Sequence, residues 1–292
     1  MKNIWDQVDN IAKIISKKKE ENHVEKQQKS CFSTEGNNSD NEEKNQKIET
    51  NEEIYLPISK QSNVPVPNGI LRSALFGIVA KGKRKFEKSL LKATVNGYSV
   101  KYTGEQLDQS DLDVWLECLR RCQNTPLGHI VRCSSYDFLK TINRRTGKSD
   151  YEWLKSVFLR LRVNDIEISD GKYTYAGSLV FEHFRDENTG ENCIILNPKI
   201  ASCFSDSCWT GIDRTIRLQL KGKPLTQWLY SFYASHAKPF PIKLDTIHQL
   251  CGSNSTIKEY KRLLKKALLE LSDVTGWSCK LDETNKVIVN KK

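Results

Sequence analysis

What this 292-residue chain lacks narrows its function first. It has one Met and five His, and no apolar run approaches the roughly 20 residues needed to cross a bilayer. The N-terminus lacks the basic-then-apolar order of a signal peptide, so a cytoplasmic protein is expected. No G-x-x-x-x-G-K-[ST] phosphate loop exists, which argues against a P-loop ATPase. The histidines (23, 129, 183, 236 and 248) are scattered singly, whereas a relaxase-like nickase needs a metal-binding His pair near a Tyr nucleophile. Nine cysteines (31, 118, 122, 133, 193, 203, 208, 251 and 279) are an odd number, and several fall at apolar helix positions. The close pairs Cys118/Cys122 and Cys203/Cys208 have no Cys/His partner pair at zinc spacing. Reduced structural thiols, no metal, no cofactor and no enzymatic activity are the expectation.

Arginine is also missing from one part of the chain. Residues 1–64 hold 10 Lys, no Arg and 12 acidic residues, so the overall charge of +10 leaves +12 on the remainder. Ile4, Val8, Ile11 and Ile15 make a short amphipathic stripe beside Trp5, suited to docking a partner or to self-association. From Lys18 to about Lys60 the composition is too polar to repay ordering entropy, which predicts a disordered linker. Asn63 to Gly69 closes that segment, with folded sequence expected from about Ile70.

What is present beyond it is one block written twice. Leu112-Asp113-Val114-Trp115-Leu116 and Thr226-Gln227-Trp228-Leu229-Tyr230 each open a helix. A strand-like stretch and a short second helix follow, Ser134 to Lys140 in one copy and Leu244 to Leu250 in the other. Ser149-x-x-Glu152 and Thr256-x-x-Glu259 then read as capping boxes starting a third helix. After each third helix a hairpin is expected. Asp165–Ser169 and Lys172–Tyr175 flank Asp170-Gly171, a type I′ turn signal, and Trp277–Lys280 and Lys286–Asn290 bracket Asp282 to Asn285. Further strands are expected at Ser89–Tyr102 around Asn96-Gly97, at Leu179–Phe184 and Cys193–Leu196 around Asn188-Thr189-Gly190, and at Thr215–Leu220. Ile200 to Ile212 has no clear period.

Helix, helix, reading helix and wing is the winged-helix pattern. The expected fold is α+β: a short amphipathic helix and disordered linker over 1–64, a first winged-helix domain over 65–205 and a second over 206–292.

In the second copy a helical wheel places Ile257, Tyr260, Leu264, Ala267, Leu268 and Leu271 on one arc. Lys258, Arg262, Lys265 and Lys266 lie opposite, with Lys261 on the margin. An apolar face seats the helix, and a cationic one suits a groove walled by phosphate. Ser253, Asn254, Ser255 and Thr256 are short polar groups at its start, and Lys280 and Lys286 lie on the following hairpin. The first copy offers Ser149, Lys155 and Arg160, with Arg144, Arg145 and Lys148 just upstream, a weaker set suited to phosphate or to a subunit interface. Such a basic double domain suits a winged-helix transcription regulator acting on a promoter operator, or an adaptor that docks acidic proteins.

Arg72-Ser73-Ala74-Leu75-Phe76, Tyr102 to Leu107, Asp113-Val114-Trp115, Thr125-Pro126-Leu127-Gly128 and above all Ser231 to Thr256 resemble the TrfA-type plasmid replication initiators, over about Asn68 to Lys292. The resemblance implies binding of double-stranded DNA at directly repeated origin sites (iterons), opening of an adjacent AT-rich segment, and contact with the host replicative helicase and initiator. It also implies a homodimer in equilibrium with an active monomer, its interface in the first domain. Some family members engage the sliding clamp through a glutamine-led, leucine-phenylalanine-ended peptide. Here Gln106-Leu107-Asp108 has only its opening and Leu75-Phe76 only its end, so clamp binding stays open.

Overall fold

A computed structural model describes residues 53–60, 62–80, 82–95, 97–205 and 208–291. The expectations for Ile4 to Ile15, for the linker up to residue 52 and for Lys292 lie outside them. Glu53 to Lys292 form one compact unit of mixed helix and strand.

Ordered structure begins before Ile70. Strand β1 (Asn63–Pro67), which leads into the short helix α1 (Asn68–Leu71), pairs antiparallel with β11 (Trp209–Asp213), burying Val64, Val66 and Ile212. Two prolines in five residues argue against a strand, because proline cannot donate to a ladder. A two-stranded sheet tolerates them. The aperiodic stretch Ile200 to Ile212 likewise has structure, most of a 3-10 helix over Pro198–Phe204 and most of β11.

The first copy of the block is α2 (Gln109–Arg121), β6 (Val131–Ser134), α3 (Ser135–Thr141), α4 (Lys148–Arg162), β9 (Val180–Arg185) and β10 (Glu191–Leu196). Its strands lie in the order β6-β10-β9. The second copy is α6 (Pro224–Ala234), β12 (Ile242–Lys243), α7 (Leu244–Leu250), α8 (Ile257–Thr275), β13 (Ser278–Leu281) and β14 (Lys286–Asn290), ordered β12-β14-β13. Both copies trace helix, strand, helix, helix, strand, strand, and in both the last strand sits between the other two.

The first copy departs from expectation after its third helix. The hairpin β7 (Asp165–Ser169) and β8 (Thr174–Gly177) is drawn away by β4 (Ser99–Glu105), giving a four-stranded sheet in the order β3-β4-β7-β8 with β3 (Phe86–Lys92) at its edge. The hairpin equivalent to β13-β14 is therefore β9-β10. The turn at Asp170-Gly171 is not type I′, since Gly171 has a positive φ of 88° and Asp170 does not. Four residues span it, and the Asp170 carboxylate accepts the amides of Lys172 (2.9 Å) and Tyr173 (2.7 Å).

Residues 214–219 form helix α5 (Arg214–Gln219), not the strand that the alternation suggested, with Asp213 capping it by accepting from the Thr215 amide at 2.7 Å. Six residues are too few for period alone to separate strand from helix. Packing decides it, because Arg217 and Leu220 are buried and Ile216 packs against the core at helical spacing. This helix joins the copies. Arg217 is 2% exposed and donates to Asp113 (2.8 Å) and Gln109 (3.1 Å) of α2 and to Ser231 of α6 (2.6 Å). Arg214 pairs with Glu117 of α2 at 2.7 Å, where Arg120 and Arg121 also converge. A second seam lies under the helix–helix turn of the second copy. Short strand β2 (Phe76–Gly77), paired in parallel with β5 (Leu107–Asp108), leads to Ile78, whose amide donates to the Cys251 carbonyl at 2.9 Å. Gly252 has φ 66°, and a side chain there would meet Ala74 and Gly77 at 3.4 and 3.6 Å. Those are ordinary contacts, so it is the left-handed turn that calls for glycine.

Candidate nucleic-acid interface

Helix α8 is built as its wheel required. Thr256 is the N-cap and its hydroxyl accepts from the Glu259 amide at 3.4 Å, which is the threonine half of the expected capping box. Gly276 closes the helix in the left-handed conformation. Tyr260, Leu264, Ala267, Leu268 and Leu271 are buried, and Ile257, from the same arc, is exposed at the first turn. Lys258, Arg262, Lys265 and Lys266 are exposed and Lys261 is half-buried. Lys266 approaches Glu270 at 4.0 Å, while Lys258, Lys261, Arg262 and Lys265 form no ion pair among the described residues. Leu269 stands 66% exposed on the same face.

The loop before α8 is held from within. His248 meets the Ser255 carbonyl through Nε2 at 3.0 Å, and the Ser253 and Ser255 hydroxyls lie 3.0 Å apart. Asn254 and Thr256 are exposed. Lys280 on β13 and Lys286 on β14 are both exposed.

The first copy divides differently. Gly147, not Ser149, is the N-cap of α4, and it makes no side-chain cap, so the expected box at Ser149/Glu152 is absent. Arg144 stacks on Trp153, 3.5 Å from the ring centroid, and pairs with Asp150 at 2.9 Å. Lys155 is held between Glu152 and Glu187, each at 3.2 Å. Arg160 points inward: it is 9% exposed and pairs with Asp111 at 2.8 Å, beside Arg84. Burial is the strongest influence on the Asp111 carboxyl and holds it above its ordinary value, against the pull of both guanidinium groups. Arg160 therefore belongs to the interior and not to a binding face. Arg145, Lys148 and Ser149 remain exposed.

Two sequence features resolve on this geometry. Leu75, Phe76 and Leu107, the apolar parts of the incomplete clamp peptides, are 0%, 2% and 1% exposed. Gly77 and Gly82 stand at phosphate-loop spacing before Lys83, so the upstream glycine is present there, but Arg84 stands where the motif needs a hydroxyl. A strand follows them instead of a helix, and Arg84 turns inward to Asp108 and Asp111. Among the described residues no group of three or more His, Cys, Asp or Glu is placed to hold a metal ion, and no helix is long and apolar enough to cross a membrane.

A duplicated fold with one cationic helix face defines a class before it defines a protein, and known proteins supply the rest. The family model described as TrfA protein matches residues 43–278, and the chain belongs to that family. It is 23% identical over 217 residues to the plasmid replication initiator protein TrfA of Escherichia coli, covering 70% of this chain and 56% of that protein. The chain thus matches little more than half the length of that relative. Among solved structures it is similar to domains 2 and 3 of RctB, with TM-score 0.52 and 12% identity over 77% of this chain and 96% of that one. It is also similar to the Pi initiator protein solved in complex with iteron DNA, with TM-score 0.50 and 12% identity over 80% and 100% of the two chains. At such identities the likeness is one of fold.

Proposed function

We propose that this chain is a plasmid replication initiator that binds directly repeated origin sites through two tandem winged-helix units. One observation carries the reading: both copies follow the same path, and in the second the third helix turns unpaired cations outward on a capped, rigid frame. The membership of the TrfA family and the likeness to an initiator solved on iteron DNA support it. Helix α8, with Asn254, Lys258, Arg262 and Lys265, is assigned to the groove. Arg145, Lys148 and Ser149 of the first copy are assigned to backbone phosphates. We set the boundary between the two units near 205/206, with β1 and β11 pairing across it inside one compact body. Opening of an AT-rich segment and contact with the host helicase belong to the same proposal.

A homodimer in equilibrium with the monomer fits as well. Edge strand β3 exposes Phe86 (72%), Leu90 (46%) and Leu91 (63%), and an apolar edge pairs readily with a second copy. The direct test of the DNA assignment is fluorescence anisotropy on a duplex from the protein's own replicon. Arg262→Ala with Lys265→Ala should weaken binding at least tenfold, about 1.4 kcal/mol, without lowering the melting temperature. Parental affinity in that variant would remove α8 from the interface.

A further inference from the structure

Lys243, the last residue of β12, stands directly opposite Lys286, the first residue of β14. Their neighbours Ile242 and Val287 are also partners and are 6% and 0% exposed. Side chains alternate along a strand, so burying that pair commits both lysines to the outer face, where both are exposed. The first copy has the same two places, the end of β6 and the start of β10, and fills them with Ser134 and Glu191, again direct partners. Ser134 there caps α3, accepting from the Asp137 amide at 3.0 Å. Lys243 holds the equivalent N-cap of α7 and makes no side-chain cap.

Three local preferences are thus broken at one spot. A capping hydroxyl is given up, a cation sits at the positive end of a helix, and like charges face each other across a ladder. A bound anion relieves the second and third. Acidic groups lie nearby: the Lys286 amide first, and the Lys286 charge as a lesser cause, hold the Asp282 carboxyl below its ordinary value, yet no acid comes within ion-pair distance of either lysine among the described residues. Asp282 accepts the Lys286 amide at 2.7 Å and the Thr284 hydroxyl at 2.9 and 3.0 Å. Asp245 and Glu283 are exposed, and neither lysine forms an ion pair among the described residues.

We propose that Lys243 and Lys286 together hold one backbone phosphate of duplex DNA, fixing the position of the second copy on the helix axis. The proposal rests on the DNA-binding reading and adds Lys243 to it. Opposed residues on paired strands start with their Cβ atoms about 5 Å apart, so both long side chains can reach one phosphate.

The experiment uses the full chain and a labelled duplex of random sequence, with affinity followed against salt for the parent, Lys243→Ala, Lys286→Ala and the double variant. One lost phosphate contact lowers the slope of log K against log salt by about 0.9. The double variant should lose about that much, and each single variant less. Lys243→Ser, which restores the residue of the first copy, should melt at a higher temperature than the parent while its slope falls. A parental slope in the double variant overturns the lysine pair and leaves the DNA reading intact. A loss of about 1.8, the sum of two equal single losses, overturns the shared phosphate. A parent that shows no salt-dependent binding overturns the DNA reading itself.

Discussion

Arg217→Ala tests whether the two copies are held as one body. Arg217 lies in the joining helix α5, is 2% exposed, and spends its guanidinium on Asp113, Gln109 and Ser231, residues from both copies. Removing it leaves Asp113, 18% exposed, with Gln227 as its remaining donor at 3.0 Å. Breaking a buried pair from one side costs about 3–5 kcal/mol, because the surviving charge keeps its desolvation penalty. At about 2–4 °C per kcal/mol for a unit of this size, the melting temperature should fall by roughly 6–20 °C. Replacing both members, Arg217→Met with Asp113→Leu, removes the stranded charge and should recover much of the loss. Thermal and urea unfolding followed by circular dichroism measure both variants against the parent. If Arg217→Ala costs less than about 1 kcal/mol, or the double replacement is worse than the single, the account of this seam is wrong.

Other outcomes follow from single side chains. Thr256→Ala should destabilise by about 1 kcal/mol through loss of the α8 cap, whereas Ser149→Ala, which removes no cap, should stay within about 0.5 kcal/mol in the same unfolding assay. Arg160→Ala should cost about 1.5–3 kcal/mol, the loss of one charged hydrogen-bonding partner, because Arg84 still pairs with Asp111 at 2.8 Å, while Lys258→Ala should leave stability within about 0.5 kcal/mol and weaken DNA binding in a titration. Burial pushes the Cys122 thiol up to about 12 and those of Cys133 and Cys251 up to about 11. A raised thiol pKa gives stability that is full below the unfolded value near 8.5 and is lost as pH rises towards those higher values. At pH 8 these three should react with a thiol reagent only after unfolding, as mass spectrometry of the labelled sites would show.

Most of the duplicated block could be read from sequence because each part has a local cause. Trp115 and Trp228 begin apolar stripes, Thr256 and Glu259 mark a helix start, and Asp282 to Asn285 mark a hairpin. Cation placement on α8 followed from its long, regular period. The larger failures share a different cause, the dominance of distant partners over local pattern. Residues 214–219 alternate like a strand but coil to deliver Arg217 and Arg214 into α2. Arg160 lies one step from the exposed arc of α4, and only the position of Asp111 shows that it turns inward. The hairpin at Asp170 was correctly placed but assigned to the wrong sheet, because nothing within residues 165–177 reveals that β4 will claim it. Lys243 was missed since its meaning depends on cross-strand register with Lys286, 43 residues away.

The central claim is recognition of repeated origin sites, and footprinting on the DNA of the protein's own replicon measures it directly. With excess nonspecific competitor at near-physiological salt, the account predicts protection of regularly spaced direct repeats, lost in Arg262→Ala with Lys265→Ala. Protection confined to one promoter palindrome, or no specific protection at all, would contradict it.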